Sequence, residues 1–132
     1  MKVLIVEDED VLALVLEEKF QNEGYTVEIA KDGEAALMSA DKFRPDIILL
    51  DLILPKKGGV DVLSELKDNV ELKSTPVIVL SNLEGDEIIK KALDLGAEDY
   101  FVKTQHPIGE VLEKVEARLR DVGATSNKKN KA

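Results

Sequence analysis

Short runs of four apolar residues alternate along this chain with longer stretches where apolar positions recur every three or four residues. Val3-Leu4-Ile5-Val6 has no polar position, the pattern of a strand buried on both faces. Apolar positions within Val11 to Phe20 recur at helical spacing, and the helix is expected to stop near Gly24. Thr26 to Ala30 predicts a second strand, and Asp32 can cap a helix through Ala35, Ala36 and Leu37. Pro45-Asp46 interrupts the chain before Ile47-Ile48-Leu49-Leu50, its most apolar run. A loop with Pro55, Gly58 and Gly59 leads to a helix carrying Val60, Leu63 and Leu66. Pro76 opens the strand Val77 to Leu80, Gly85 to Leu95 is helical by spacing, and Gly96 ends it. Tyr100-Phe101-Val102 is a fifth strand. Pro107 suits the first turn of a last helix with Ile108, Val111, Leu112, Val115 and Leu119 on one face.

Five β/α units in succession predict an α/β fold, a doubly wound parallel sheet with helices on both faces. For five strands the flavodoxin-like order 2-1-3-4-5 is the leading arrangement. Ligands of such sheets bind beyond the carboxyl ends of the strands, where the strand order reverses. Residues 1–122 are expected to form this one domain. After Val122 the segment GATSNKKNKA has no apolar period, so residues 123–132 are expected to be a disordered basic tail.

Charge narrows the function. The net charge is −9, the last ten residues contribute +3, and the rest therefore carries −12. A body this acidic repels a phosphate backbone, which argues against direct nucleic-acid binding. The chain has no cysteine, so disulfides and thiolate metal sites are excluded. Its first residues reach acids after four apolar positions, too few for a signal peptide or membrane span, and a cytoplasmic location is the default expectation.

Chemistry gathers at the strand ends. The first strand ends in Glu7-Asp8 and the third in Asp51. In the expected order these strands are neighbours, about 4.8 Å apart. Any one acid after a strand is ordinary capping or a solvated loop, whereas three at one crevice form a cation site. Hard carboxylate oxygens suit Mg²⁺, which takes one or two carboxylates together with substrate phosphate. A carboxylate beside Mg²⁺ can also attack phosphorus to give an acyl phosphate. The fourth strand ends in Ser81 and the fifth in Lys103, a hydroxyl and an ammonium able to donate to phosphoryl oxygens. Alone, Ser81 is turn chemistry and Lys103 a surface charge.

With these residues in place, the chain resembles the receiver domain of two-component response regulators over roughly residues 2 to 120. The resemblance runs in order through VLIVEDE, GYTVEIAKDGEAAL, PDIILLDLILPKKGG, PVIVLSN and GAEDYFVK. It implies that Glu7, Asp8, Asp51 and the backbone carbonyl of Ile53 hold Mg²⁺, and that Asp51 is the phosphoacceptor. It also implies a switch made by Ser81 and Tyr100, with Lys103 assisting. Phosphorylation would draw Ser81 and Lys103 toward the new group and vacate space for Tyr100, altering the surface of the fourth helix, fifth strand and fifth helix. Plain core packing accounts for Tyr100 equally well. The implied partners are a histidine kinase or phosphotransfer protein and a downstream protein, and a phosphorylation-dependent homodimer is compatible with the family. With no effector domain after the last helix, the chain reads as a stand-alone, chemotaxis-regulator-like receiver or as a piece of a longer protein.

Two positions depart from the usual pattern. Thr104 follows the lysine where proline with a cis peptide is common. Since a cis bond before a non-proline costs about 2.5–4 kcal/mol, Lys103–Thr104 is expected to be trans. Asn82 stands where a small residue is usual. Ile53 and Leu83 flank the path of the hydrolytic water and cannot position it, so slow autodephosphorylation is expected. Among other readings, a haloacid dehalogenase-type phosphatase lacks its second acid, because Ile53 occupies that position. A flavodoxin is disfavoured by the acidic Glu7-Asp8-Glu9-Asp10 loop. A receiver that binds partners without phosphorylation is the serious competitor.

Overall fold

The computed structural model describes residues 1–131, with side chains described as far as Asp121. The elements in chain order are β1 (Lys2–Val6), α1 (Asp10–Asn22), β2 (Thr26–Ala30), α2 (Gly33–Phe43), β3 (Ile47–Leu50), α3 (Gly59–Asp68), β4 (Val77–Ser81), α4 (Asp86–Asp94), β5 (Asp99–Val102) and α5 (Ile108–Lys131). The strands form one parallel sheet in the order β2-β1-β3-β4-β5. This is the flavodoxin-like arrangement expected from the alternation of runs and periods.

The sheet is buried on both faces because alternate side chains of each strand enter different cores. Leu4, Val6, Ile48, Leu50, Val77, Val79, Tyr100 and Val102 pack with α2, α3 and α4. Val3, Ile5, Ile47, Leu49, Ile78, Leu80 and Phe101 pack with Leu16 and Phe20 of α1 and with Val111, Val115 and Leu119 of α5. All four residues of β3 are buried, which is why this strand is the most apolar.

Local signals act as expected at several ends. The Asp32 carboxylate accepts from the Ala35 N–H at 2.8 Å and caps α2. Gly96, at φ 113°, reverses the chain after α4 into a conformation that other residues resist. No peptide bond among the described residues is cis, so Lys103–Thr104 is trans. The α5 backbone is helical as far as Lys131. The side chains of the basic tail, residues 123–132, lie outside the described residues.

Candidate functional site: a carboxylate cluster at the strand ends

The parallel register builds the site. Val6 pairs with Leu50, so Glu7 and Asp51 leave adjacent strands side by side, and the Asp51 N–H donates to the Val6 carbonyl at 3.0 Å. Ser81 pairs with Val102, and the Lys103 N–H donates to the Ser81 carbonyl at 2.9 Å. The five expected residues Glu7, Asp8, Asp51, Ser81 and Lys103 therefore meet at one edge of the sheet. Glu7, Asp51 and Ser81 are buried, and Asp8 is exposed.

Both oxygens of Asp51 are held. Its Oδ1 accepts from the Ser81 hydroxyl at 2.8 Å and from the Ile53 N–H at 3.0 Å. Its Oδ2 meets the Lys103 ammonium at 2.7 Å. The same ammonium reaches Glu7 Oε1 at 2.7 Å and Glu9 Oε2 at 3.7 Å. Thus one cation faces three carboxylates. Burial pushes the Glu7 carboxyl up, and the Lys103 ammonium and Glu9 N–H pull it back only in part, against the added charge of Asp51. Burial alone would lower the Lys103 ammonium, but its contacts with Asp51 and Glu7 outweigh this and raise it. Both directions fit one picture, in which a shared cation gains from two partners while each acid receives only part of a counter-charge.

Carboxylate oxygens of Glu7, Asp8 and Asp51 lie within 4.8 Å of one another. An all-oxygen donor set with a cation deficit fits a divalent metal ion. A carboxyl whose folded value lies above its unfolded one binds its proton more tightly in the folded state. The Glu7 contribution therefore weakens folding as pH rises above the ordinary value of 4.5. Glu7→Gln is expected to flatten that decline and raise the metal-free unfolding temperature at pH 7. It should also reduce the stabilisation by added Mg²⁺. Thermal melts at pH 5 and pH 7, with Mg²⁺ or with chelator, check both outcomes.

The loop after β3 is held by close backbone approach. A Cβ on Gly59 would lie 2.4 Å from the Asp51 carbonyl oxygen, and one on Gly33 would lie 2.0 Å from the Lys57 carbonyl oxygen. Both contacts are to backbone and leave no room for a side chain. They press the loop that follows Asp51 between the first turns of α2 and α3.

Ser81 and Lys103, expected to move toward a phosphoryl group, already contact Asp51, because the carboxylate is itself an anion that attracts both donors. Tyr100 is buried and donates its hydroxyl to the Leu83 carbonyl at 2.7 Å. Burial, with the charge of Asp51 adding to it, pushes the Tyr100 phenol up. Sequence reasoning missed Glu9 as a third acid on Lys103, and it missed the Leu83 carbonyl as the Tyr100 acceptor. The run of acids after β1 signalled Glu9, whereas a backbone acceptor leaves no mark in side-chain identity. Ile53, at 51% exposure, and Leu83, at 38%, flank the site with open apolar side chains.

Comparison with known proteins agrees with this geometry. The family described as the response regulator receiver domain matches residues 3–116. The chain belongs to that family. This receiver is 36% identical over 119 residues to the alkaline phosphatase synthesis transcriptional regulatory protein PhoP of Bacillus subtilis, a match covering 90% of this chain and 48% of PhoP. The receiver spans about half the length of such curated relatives. Among solved structures it is similar to the receiver domain of Francisella response regulator 1452, with TM-score 0.84 and 30% identity, covering 92% of this chain and 98% of that one. It is also similar to the Mn²⁺-bound form of response regulator Rcp1, with TM-score 0.73 and 31% identity, covering 80% and 82%. As a response regulator receiver it is a signalling domain of two-component systems. No helix among the described residues is long and apolar enough to cross a membrane.

Proposed function

We propose that this receiver accepts a phosphoryl group on Asp51 in a Mg²⁺-dependent reaction and thereby changes its affinity for a downstream protein. The carrying observation is the buried Asp51 carboxylate, gripped by Ser81 and Lys103 beside two further acids. The donor is a histidine kinase, a phosphotransfer protein or a small acyl phosphate. An Asp51 oxygen attacks phosphorus, the bond from phosphorus to the donor breaks with its electrons leaving on the donor, and an acyl phosphate results. The Ser81 hydroxyl and Lys103 ammonium then donate to phosphoryl oxygens, so the domain assists its own modification and its reversal without being an enzyme on other substrates. Glu7, Asp8, Asp51 and the Ile53 carbonyl would hold Mg²⁺, which when bound supplies charge neutralisation for the pocket and the phosphoryl oxygens.

Tyr100 supports a route outward. Its hydroxyl ties β5 to the loop that leads from Ser81, the last residue of β4, through Leu83 toward α4. A pull on Ser81 by a phosphoryl group is delivered to that loop, and so to the surface of α4, β5 and α5. We place the receiver unit at residues 1–122, in the cytoplasm. The net charge of −9 over the whole chain, and −9 − 3 = −12 over residues 1–122, disfavours its own contact with nucleic acid.

Incubation with Mg²⁺ and acetyl phosphate should add one phosphoryl group by intact mass, and Asp51→Asn should add none. A wild type that takes up nothing from acetyl phosphate or a phosphoramidate would sink the proposal in favour of a phosphorylation-independent binding module. Size measurement before and after labelling tests for a homodimer. Because Ile53 and Leu83 offer the hydrolytic water no hydrogen bond, the label should be long-lived. Ile53→Asn or Leu83→Glu should shorten its lifetime about tenfold, a modest share of what one positioned polar group supplies. Decay followed by mass after donor removal checks this.

A further inference from the structure

His106 folds back on the strand that precedes it. That strand, β5, is an outer strand of the sheet. The Lys103 N–H points inward to the Ser81 carbonyl, so the Val102 N–H one residue earlier points outward, past the edge. There it meets Nδ1 of His106 at 3.1 Å. The ring stands edge-on to Phe101, with centroids 5.1 Å apart and planes at 84°. Nδ1 also lies 3.2 Å from the Val102 carbonyl oxygen. One ring nitrogen is thus within reach of both the donor and the acceptor of a single residue.

The two forms of imidazole use this position differently. In the neutral ring with its proton on Nε2, Nδ1 accepts from the Val102 N–H. In the protonated ring Nδ1 can only donate, and the acceptor within reach is the Val102 carbonyl. That oxygen already accepts from the Gln105 N–H at 2.9 Å and the His106 N–H at 3.0 Å, which takes up both lone pairs. Val102 is buried, so its N–H loses its partner without gaining water. The charged groups nearby do not oppose a proton on the ring. Glu9 and Lys103 line one cavity of about 250 Å³ with it and act on its charge with opposite signs. Glu84, joined to the turn by Gln105 at 2.8 Å, and Glu110, four residues along the chain, add acid farther out. The cost of a charged ring therefore falls on the hydrogen bonds of the turn.

We infer that His106 is a proton-operated catch on the turn from Val102 to His106. Neutral, it closes the end of β5 and fixes Lys103, whose ammonium is 2.7 Å from both Asp51 and Glu7. Protonated, it releases the turn and loosens that grip. Imidazole is the side chain that changes charge between about pH 5 and 8, so the catch is closed at the alkaline end and opens as pH falls. The consequence for phosphorylation rests on the reading of Asp51 as phosphoacceptor, whereas the catch itself does not.

The test measures hydrogen exchange at the Val102 amide, as a protection factor, and labelling of Asp51 by acetyl phosphate at fixed Mg²⁺. Both are read at pH 7.5 and pH 5.5 in wild type, His106→Asn and His106→Phe. The asparagine Oδ1 lies as many bonds from Cα as Nδ1 and accepts without titrating, whereas phenylalanine keeps a ring and loses the acceptor. Wild-type protection should fall about tenfold from pH 7.5 to pH 5.5, the scale of one hydrogen bond. His106→Asn should keep it at both values and His106→Phe should lack it at both. The labelling rate of wild type divided by that of His106→Asn cancels the pH dependence of donor and metal. It should fall about threefold over the same interval, a small part of the hundredfold that a misplacement of about 1 Å costs. Nitrogen chemical shifts should place the ring proton on Nε2 at pH 7.5. A proton on Nδ1 at that pH, wild-type protection that ignores pH, or full protection in His106→Phe would overturn the inference. Falling protection with a constant labelling ratio would overturn it too, because Lys103 would then be independent of the turn. Falling protection with no labelling of any of the three proteins would support the catch and overturn the phosphoacceptor reading instead.

Discussion

Lys103→Met destabilises the metal-free protein at pH 7 by about 3–5 kcal/mol, the range for removing one partner of a buried ion pair. The lysine side chain is 11% exposed, and its partners Glu7 and Asp51 are 3% and 4% exposed. Methionine fills the space of the stem but leaves both carboxylates without their cation. Against a total stability of about 5–15 kcal/mol for an ordinary domain, such a loss is decisive. The sign with pH follows from the direction of the wild-type lysine. Its folded value is raised, so its stabilisation is complete below the ordinary 10.5 and fades as pH rises through the folded value. Neutral pH therefore shows the full loss. In acid the unpaired carboxyls take up protons and the gap between variant and wild type narrows. Mg²⁺ should narrow it too, by binding only the folded carboxylate cluster. Urea unfolding at pH 4.5 and pH 7, with and without Mg²⁺, reads all three. A deficit that stays constant across these conditions would show that the lysine stem, and not its charge, matters.

Gly59→Ala is the second large effect, and it arises from backbone contact. The added Cβ would sit 2.4 Å from both the Asp51 carbonyl oxygen and the Leu52 Cα. Neither can rotate away, so α3 or the end of β3 must move. Overpacking of this kind costs about 3 kcal/mol. The displaced atoms also belong to Asp51, the proposed phosphoacceptor. A misplacement of about 1 Å at a reacting group costs about 100-fold in rate, so labelling of Asp51 should fall by that order even where the variant remains folded. Gly58→Ala is the control, since its Cβ meets only the Leu52 carbonyl oxygen at 4.0 Å. Denaturant midpoints together with labelling rates for the pair separate the two consequences. Equal behaviour of the two variants would remove the steric argument.

Much of the site is legible in the amino-acid sequence because topology places it. Once runs such as Ile47 to Leu50 are recognised as strands buried on both faces, the order of a doubly wound sheet brings their next residues to one edge. Glu7, Asp51, Ser81 and Lys103 need no further information. What stays hidden depends on contacts at atomic distance. That Lys103 serves Glu7 as well as Asp51 follows from rotamers and not from spacing. The Tyr100 hydroxyl ends on a backbone carbonyl, and any residue at position 83 could present one. Gly58 and Gly59 look alike in sequence, yet only the second lies against the Asp51 backbone.

The division of the interior into two cores has a consequence for how this receiver can diverge. Tyr100 and Phe101 are adjacent in β5 yet belong to different clusters, one shared with α2, α3 and α4 and the other with α1 and α5. Substitutions in the two cores share few side-chain neighbours, so their stability effects should combine nearly additively. A lineage can thus rebuild the α1 and α5 layer beneath Phe101 while the Tyr100 tether to Leu83 stays intact. Partner choice on one side of the sheet can drift without forcing compensating change on the other.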